Sequence, residues 1–264
     1  MSSVLRIEAG KELVTIKGVG AVQHSANYDF IIRQIAPSAS VLDFGCGNGE
    51  TVALARAWGL NVVGADTYDR KWSTWLDEVA PAARPFVGRI ENGRLPYPDA
   101  SFDCVFANMV FEHIPWQDVP GALQEIRRVL KPGGQFIALF PTTDAWYEGH
   151  VGVYFAHWMM RWPRLQAPYL RACYHLGVGQ HRNQETTAAA WARQRQKLLS
   201  TSVFFHSLLR VRQQWADVFG KAPSSFAAEY MRFRLGISTP ALDRLLAFVC
   251  HRRAGAALVV TRSA

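Results

Sequence analysis

Residues 41–50 read VLDFGCGNGE, an apolar run that ends in three glycines at positions 45, 47 and 49. The run from Ser40 through Gly45 (SVLDFG) has the length and composition of a buried strand, and ETVALARAWG behind it has the spacing of a helix that stops near Gly59. A strand, a glycine turn and a helix in that order bring backbone, without side chains, close to a nucleotide. The dinucleotide pattern GxGxxG would need glycine at position 50, where Glu50 stands, and the phosphate-binding pattern GxxxxGK[ST] is absent. What remains is Asp-x-Gly-x-Gly-x-Gly, from Asp43 to Gly49.

Outward from this loop the chain keeps alternating. HSANYDFIIRQIA (24–36) has helical spacing at Tyr28, Ile31, Ile32 and Ile35 and ends at Pro37. NVVGAD (61–66) is a second strand with Asp66 at its end, TWLDEVAP (74–81) a short helix, PFVGRI (85–90) a third strand and FDCVFAN (102–108) a fourth. VPGALQEIRRVLKPGG (119–134) reads as a helix closed by a Pro-Gly-Gly turn, and QFIALF (135–140) as a fifth strand. Strands alternating with helices need crossover connections, so the sheet is parallel and covered on both faces. Its ligand lies at the C-terminal strand ends, where the strand order reverses.

The alternation breaks over 141–205, a stretch rich in Trp, Tyr, His and Arg in which ETTAAAWARQRQKLLS (185–200) looks helical. Later the pattern predicts a helix over 204–220, a sixth strand in SSFAAEYMRF (224–233), a helix over 239–252 with Thr239 as N-cap and Pro240 at its first position, and a last strand over 256–262. The reading is a doubly wound α/β fold: one domain over 1–264, a mostly parallel seven-stranded sheet, and residues 141–205 inserted after strand five as a helical and irregular substrate-binding lid.

Composition fits a globular chain, with 49% apolar and 19% charged residues. The four cysteines are scattered and form no CxxC pair, which points to free thiols in a reducing compartment and away from zinc. No signal peptide and no membrane-spanning run is read, so a cytoplasmic location is expected, with peripheral contact at the inner face of the membrane. Residues 1–140 carry 13 Lys and Arg against 15 Asp and Glu, residues 141–214 carry 9 against 3, and residues 215–264 carry 7 against 3. The excess positive charge therefore follows residue 140, and either suits an anionic partner or is a merely soluble basic face.

Four segments in order, VLDFGCGNGE, VVGAD, LPYPDASFDCVFANMVFEHI and the helix with VLKPGG, cover about residues 30–141. Together they make the chain resemble the class I S-adenosylmethionine-dependent methyltransferases, in the group that methylates quinones and small molecules. The resemblance implies the Rossmann-like methyltransferase sheet and S-adenosylmethionine as cofactor. It also implies roles. Gly45, Gly47 and Gly49 pass under the methionine part, Asp43 orients its amino end, and Asp66 holds the ribose hydroxyls. Tyr68 packs near the adenine. Glu91 stands where the family often has an Asp bonding the adenine amino group, and Asn92 offers its backbone. Asn108 faces the sulfonium, and Glu112 with His113 forms the family's Glu-His pair.

A hydroxyl acceptor also needs a base, and the cofactor half offers no obvious one. TTDAWYEGHVGVYFAHWMMRWPRL (142–165) supplies Asp144, Glu148, His150 and His157. His150, oriented by Glu148, is the first choice and Asp144 the second. Tyr147, Glu148, Tyr154, His157, His181 and Arg182 are expected to contact substrate, the last two through an anionic group. Tyr147, Tyr154, Phe155, Trp158, Met159, Met160 and Trp162 form a stripe that is either core or a sugar-stacking or lipid-contacting surface, with Arg161 and Arg164 beside it. No metal is expected. The expected reaction is O-methylation of a small or lipid-linked molecule, such as a sugar hydroxyl of a glycan or glycolipid, with a quinone, lipid or secondary metabolite as the alternative acceptor. Nucleic acid is not an expected partner: the segment after strand four reads Asn108-Met109-Val110-Phe111 without the prolines of base-amine methyltransferases. A non-catalytic scaffold is disfavoured because the loop glycines and Asp66 are all present.

Overall fold

The computed structural model describes residues 13–16, 20–23, 25–68, 79–185 and 187–263. Strands β1 (Leu13–Ile16) and β2 (Gly20–Gln23) form an antiparallel hairpin ahead of α1 (Ala26–Arg33). The central sheet takes β3 (Ser40–Phe44), β4 (Asn61–Asp66), β5 (Val87–Arg89), β6 (Phe102–Asn108), β7 (Leu130–Phe140), β10 (Ser224–Ser225) and β11 (Ala256–Thr261). Its order is β10-β11-β7-β6-β3-β4-β5, with β11 antiparallel to β7 and the five strands from β5 to β7 parallel. From β3 the chain winds to one edge through β4 and β5, and from β6 it winds to the other. The order therefore reverses between β3 and β6, which sets the glycine loop and the end of β6 side by side.

The strands carry two cores with a period of two. Along β7, Phe136, Ala138 and Phe140 face the core closed by α3 (Val119–Val129) and α6 (Leu208–Phe219), while Ile137 and Leu139 face the one closed by α1, α2 (Glu50–Ala57), α7 (Ala227–Leu235) and α8 (Asp243–Arg253). Trp215 of α6 stacks on Phe136 with ring centroids 4.5 Å apart. Each such fully buried ring contributes about 1.5–3 kcal/mol.

Several boundaries differ from the sequence reading. Residues 224–233 are not a strand: only Ser224–Ser225 pair with β11, and α7 follows. Its buried Ala227, Ala228, Tyr230 and Met231 have helical spacing, which overrides the strand preference of the aromatic residues. Helix α3 stops at Val129, and β7 starts at Leu130, five residues early. The KPGG segment is absorbed as a bulge: Leu130 stands opposite Phe102 but Gln135 opposite Cys104. Helix α6 starts at Leu208, capped by the Ser207 hydroxyl. Thr239 caps a single 3-10 turn, Pro240–Leu242, that leads into α8. Most of TWLDEVAP lies outside the described residues.

Residues 141–205 are more regular than expected. They hold a hairpin of β8 (Tyr147–Glu148) and β9 (Val153–Tyr154), a 3-10 turn (Trp158–Arg161), and helices α4 (Pro163–His175) and α5 (Ala188–Ser202). Helix α4 was not foreseen; Pro163 occupies its first turn, where no N–H is needed. Val151, Val153, Ala156, Leu170, Trp191 and Leu199 form a core within this segment.

Candidate active site

Three glycines in left-handed conformation, with φ of +80° at Gly45, +54° at Gly47 and +75° at Gly49, carry the chain from β3 into α2. They are not equivalent. A Cβ on Gly45 would lie 2.4 Å from Val110 Cγ2 and one on Gly49 2.7 Å from Ala83 Cβ, whereas one on Gly47 would meet nothing within 4 Å. Two glycines thus serve close packing, and the middle one bares its backbone. Its N–H donates to Asp66 Oδ2 at 2.8 Å, and the other Asp66 oxygen accepts from Thr67 N at 2.7 Å. Asp43 is fully buried, and neither of its carboxyl oxygens has a hydrogen-bond partner among the described residues. Burial, with the charge of Asp66 adding to it, holds its pKa well above the carboxylate range.

The turn holding Glu91 and Asn92 is closed by reciprocal backbone bonds between Glu91 and Arg94, with Asn92 at φ +51°. It follows β5, whose Arg89 pairs with Asp66, and both residues are exposed at that end of the sheet. Tyr68 departs from expectation. It is buried against Ala53, Val79 and Ala83, with its hydroxyl 3.5 Å from Cys46 Sγ, so it presents no open face to an adenine. Its own φ of +50° turns the side chain under the loop.

Asn108 is the last residue of β6, as read from the sequence, and its Oδ1 accepts from Asn27 Nδ2 at 2.9 Å. Asn27 Oδ1 in turn accepts from the Tyr230 hydroxyl at 2.5 Å. This relay joins α7, α1 and β6 across 203 positions of sequence, and no local signal marks it. A cleft of about 140 Å³ opens beside it, lined by Asn27, Met109, Tyr147, Gly149, Tyr230 and Arg253 among others.

Beyond β6 the short turn Phe111–His113 meets the β8–β9 hairpin. Glu148 is fully buried and accepts from His150 Nδ1 at 2.7 Å, His150 N at 3.1 Å and Val151 N at 2.6 Å. His150 Nε2 lies 3.9 Å from Glu112 Oε1, and His113 Nε2 lies 4.0 Å from the same oxygen. Glu112 is fully buried, and its carboxyl meets no partner on another described residue within hydrogen-bond reach.

Residues 42–138 match the family described as "Methyltransferase domain". Among curated relatives, the chain is 34% identical over 110 residues to a demethylmenaquinone methyltransferase of Shouchella clausii, covering 40% of this chain and 46% of that one. It is 35% identical over 99 residues to a 27-O-demethylrifamycin SV methyltransferase of Amycolatopsis mediterranei, covering 36% of each. The chain thus spans less than half the length of either. Among solved structures, an S-adenosylmethionine-dependent methyltransferase from Mesorhizobium loti shares the fold at a TM-score of 0.51 and 15% identity, covering 90% of this chain and 98% of that one. Residues 42–138 thus carry a methyltransferase domain, on a sheet of the class I S-adenosylmethionine-dependent fold.

The methyltransferase cradle fits its cofactor on structural grounds. An unpartnered buried carboxyl at Asp43 suits the ammonium of an amino acid, and the bare backbone at Gly47 admits a close ligand. Each Asp66 oxygen has one backbone partner and retains a lone pair for a ribose hydroxyl. Cys46 is no nucleophile: burial, then Asp43, pushes its thiol well up.

The acceptor side of the methyltransferase is sorted by hydrogen bonds. Glu148 and the Ser202 carbonyl only accept, so the proton of each imidazole sits on Nδ1, facing Glu148 in His150 and Ser202 O (3.0 Å) in His113. The neutral His150 ring therefore carries its lone pair on Nε2, 3.9 Å from Glu112 Oε1. Burial raises the Glu112 pKa to about 8 although His150 opposes the rise, so near neutral pH it is an acid that can donate. Burial alone would lower the His150 pKa, but the Glu148 hydrogen bond and charge, with Glu112, outweigh it and leave it raised.

Asp144 is not placed as a base. Its Oδ2 accepts from Leu208 N at 2.6 Å at the start of α6, and its carbonyl accepts from Arg252. His157 is buried, stacks on Phe205 with centroids 4.7 Å apart, and has its pKa lowered by that burial. His181 and Arg182 line a separate cleft of about 310 Å³ that shares no lining residue with the first. Tyr147 lines the first cleft, and Tyr154 is exposed beside it, 5.2 Å away between ring centroids.

Glu112, His113 and His150 offer three donor atoms within 4.8 Å of one another, a grouping that sequence spacing did not reveal. Metal bonds of about 2.0–2.2 Å would place neighbouring donors roughly 3.3 Å apart in a tetrahedral zinc site. The 3.9 and 4.0 Å separations are wider than that. Dialysis against EDTA is expected to leave methyl transfer unchanged; a loss restored by zinc would reassign the cluster to a metal.

Proposed function

We propose that this protein transfers the methyl group of S-adenosylmethionine to a hydroxyl of a small or lipid-linked acceptor, a sugar hydroxyl of a glycan or glycolipid being the first candidate. The observation that carries the reading is the Glu148–His150 pair, whose free Nε2 faces Glu112 beside the end of β6. S-adenosylmethionine supplies a methyl already activated on a sulfonium. A hydroxyl must lose its proton to accept it, and His150 Nε2 is the group to take that proton while Glu148 fixes the ring through Nδ1. Glu112, 3.9 Å from Nε2, supplies the donor that orients the hydroxyl. Asn27 and Tyr230 form the polar wall of the neighbouring cleft, with Asn108 behind Asn27 as its hydrogen-bond partner.

The positive excess after residue 140 supports an anionic acceptor. A second reading, a quinone, lipid or secondary-metabolite acceptor, is favoured by the activities named for the Shouchella and Amycolatopsis relatives. Labelled methyl transfer from S-adenosylmethionine to a panel of glycosides, glycolipids and hydroquinones discriminates the two. Transfer only to amines or thiols would overturn both.

The pH dependence tests the base. A protonated His150 cannot accept, so turnover falls as pH drops through its raised pKa, and the rising limb of kcat lies above the ordinary imidazole value of about 6.5. Glu148→Gln removes the larger part of what raises that pKa and leaves Glu112 alone against the burial that lowers it. The limb is expected to move to lower pH, with a reduced plateau. A limb that stays in place in Glu148→Gln would show that another group sets it.

A further inference from the structure

One face of the protein is built of exposed rings and arginines. Trp162, Leu165, Leu245 and Phe248 are 58%, 60%, 57% and 49% exposed. On α8, Leu245, Phe248 and Val249 share one exposed face, while Leu246 and Cys250 are buried on the other. Phe248 meets Trp146 edge-on at 6.1 Å, and Arg252 lies within 6 Å of both rings. Phe155 N bonds Trp146 O, and from Phe155 the rings continue to Tyr154 at 6.0 Å and Trp158 at 5.0 Å. Trp162 closes the same 3-10 turn and Leu165 follows one helical step later. The patch is thus continuous from α8 to the start of α4.

Its charge is one-sided. Residues 145–184 and 244–264 hold eight arginines and a single acidic residue, Glu148, which is buried under His150. Arg161, Arg164 and Arg253 are exposed within or beside the patch. Its inner edge is also the rim of the acceptor cleft: Arg253 sits 3.8 Å over Tyr147 and 5.7 Å from Tyr154, and Tyr147 and Arg253 line that cleft.

We propose that this aromatic and arginine face docks on an anionic lipid surface, and that the cleft at its edge takes the polar head of an acceptor whose apolar part stays in that surface. The second half rests on the acceptor reading above; the first does not. Tryptophan and tyrosine, with an apolar body and a polar tip, settle at the boundary between headgroups and acyl chains, and arginines beside them pair with lipid phosphates. No helix among the described residues is long and apolar enough to cross a membrane. A second copy of the chain is the poorer occupant, because a two-fold contact would set arginines against arginines without acids to separate them.

Flotation of the full chain with phosphatidylcholine vesicles, and with equal-part phosphatidylcholine and phosphatidylglycerol vesicles, tests the docking without reading turnover. The protein is expected to float with the anionic vesicles and not the neutral ones, and to be released by salt. The triple variant Trp162→Ser, Leu165→Ser, Phe248→Ser, all exposed side chains outside the cleft, should lose at least about tenfold in partitioning while its melting and cofactor binding stay unchanged. Wild-type protein that stays in solution with both vesicles, or floats equally with neutral ones, overturns the proposal. So does a triple variant that floats like wild type, or a concentration-dependent dimer that the triple variant abolishes in a chain that binds no vesicle. If docking holds, a long-chain glycolipid in anionic vesicles should be methylated faster than its short-chain, water-soluble counterpart. Equal rates overturn the delivery half and leave the methyltransferase reading standing.

Discussion

His150→Ala lowers kcat by about 10²–10⁴-fold and leaves S-adenosylmethionine affinity within a factor of about two of wild type. The size follows from the loss of a positioned base whose ring is held at Nδ1 by a fully buried carboxylate. The selectivity follows from construction. The cofactor loop is made by β3, α2 and the end of β4, while His150 enters from the hairpin of the insertion. Single-turnover methyl transfer and calorimetric cofactor binding measure the two effects separately. Unchanged turnover removes His150 as base; equal losses in both measurements make it a structural residue. His150→Gln serves as the control for shape, keeping a polar tip but not a titratable one, and its turnover should stay low.

The second large effect belongs to Gly45→Ala. At φ +80° any residue with a Cβ is strained by about 1–2 kcal/mol, and here the added carbon would stand 2.4 and 2.8 Å from the two Val110 methyls. Val110 lies between Asn108 and Glu112, so a loop that yields disturbs both donor and acceptor sides. Cofactor affinity is expected to fall by more than about tenfold, together with a lowered melting temperature. Pairing it with Val110→Ala separates the two causes, since the clash is relieved and the φ strain is not. Partial recovery is expected, and full retention of affinity in Gly45→Ala alone would refute the tight packing of this loop. Asp66→Ala should weaken binding as well, by removing both the ribose acceptor and the bond that fixes Gly47.

The donor half was legible because its signals are local. Val41 to Glu50 contains strand, turn and helix start within ten residues, and Asp66 closes the next strand. A misreading occurred where one composition serves two periodicities, as in Ala227–Leu235. The acceptor half is harder because its partners are remote. Asp144 reads alike as base or cap until the Leu208 N–H, 64 positions away, is found on it. The pairing of His150 with Glu148 was legible because Glu148 is two residues off, whereas its meeting with Glu112 depends on how the hairpin lies over the end of β6. Tyr68 looked like a ring beside a nucleotide, and only its backbone conformation shows it turned inward.

The proton-accepting cluster has divided parentage. Glu112 and His113 come from the turn that follows β6, while Glu148 and His150 come from a segment with its own apolar core. Everything that holds the methyl donor is inherited with the sheet. A different insertion on the same sheet would bring a new acceptor pocket and, with it, a new half of the base. Selectivity and proton transfer in this protein therefore change together, independently of the donor site, and the line between the two inheritances runs between His113 and His150.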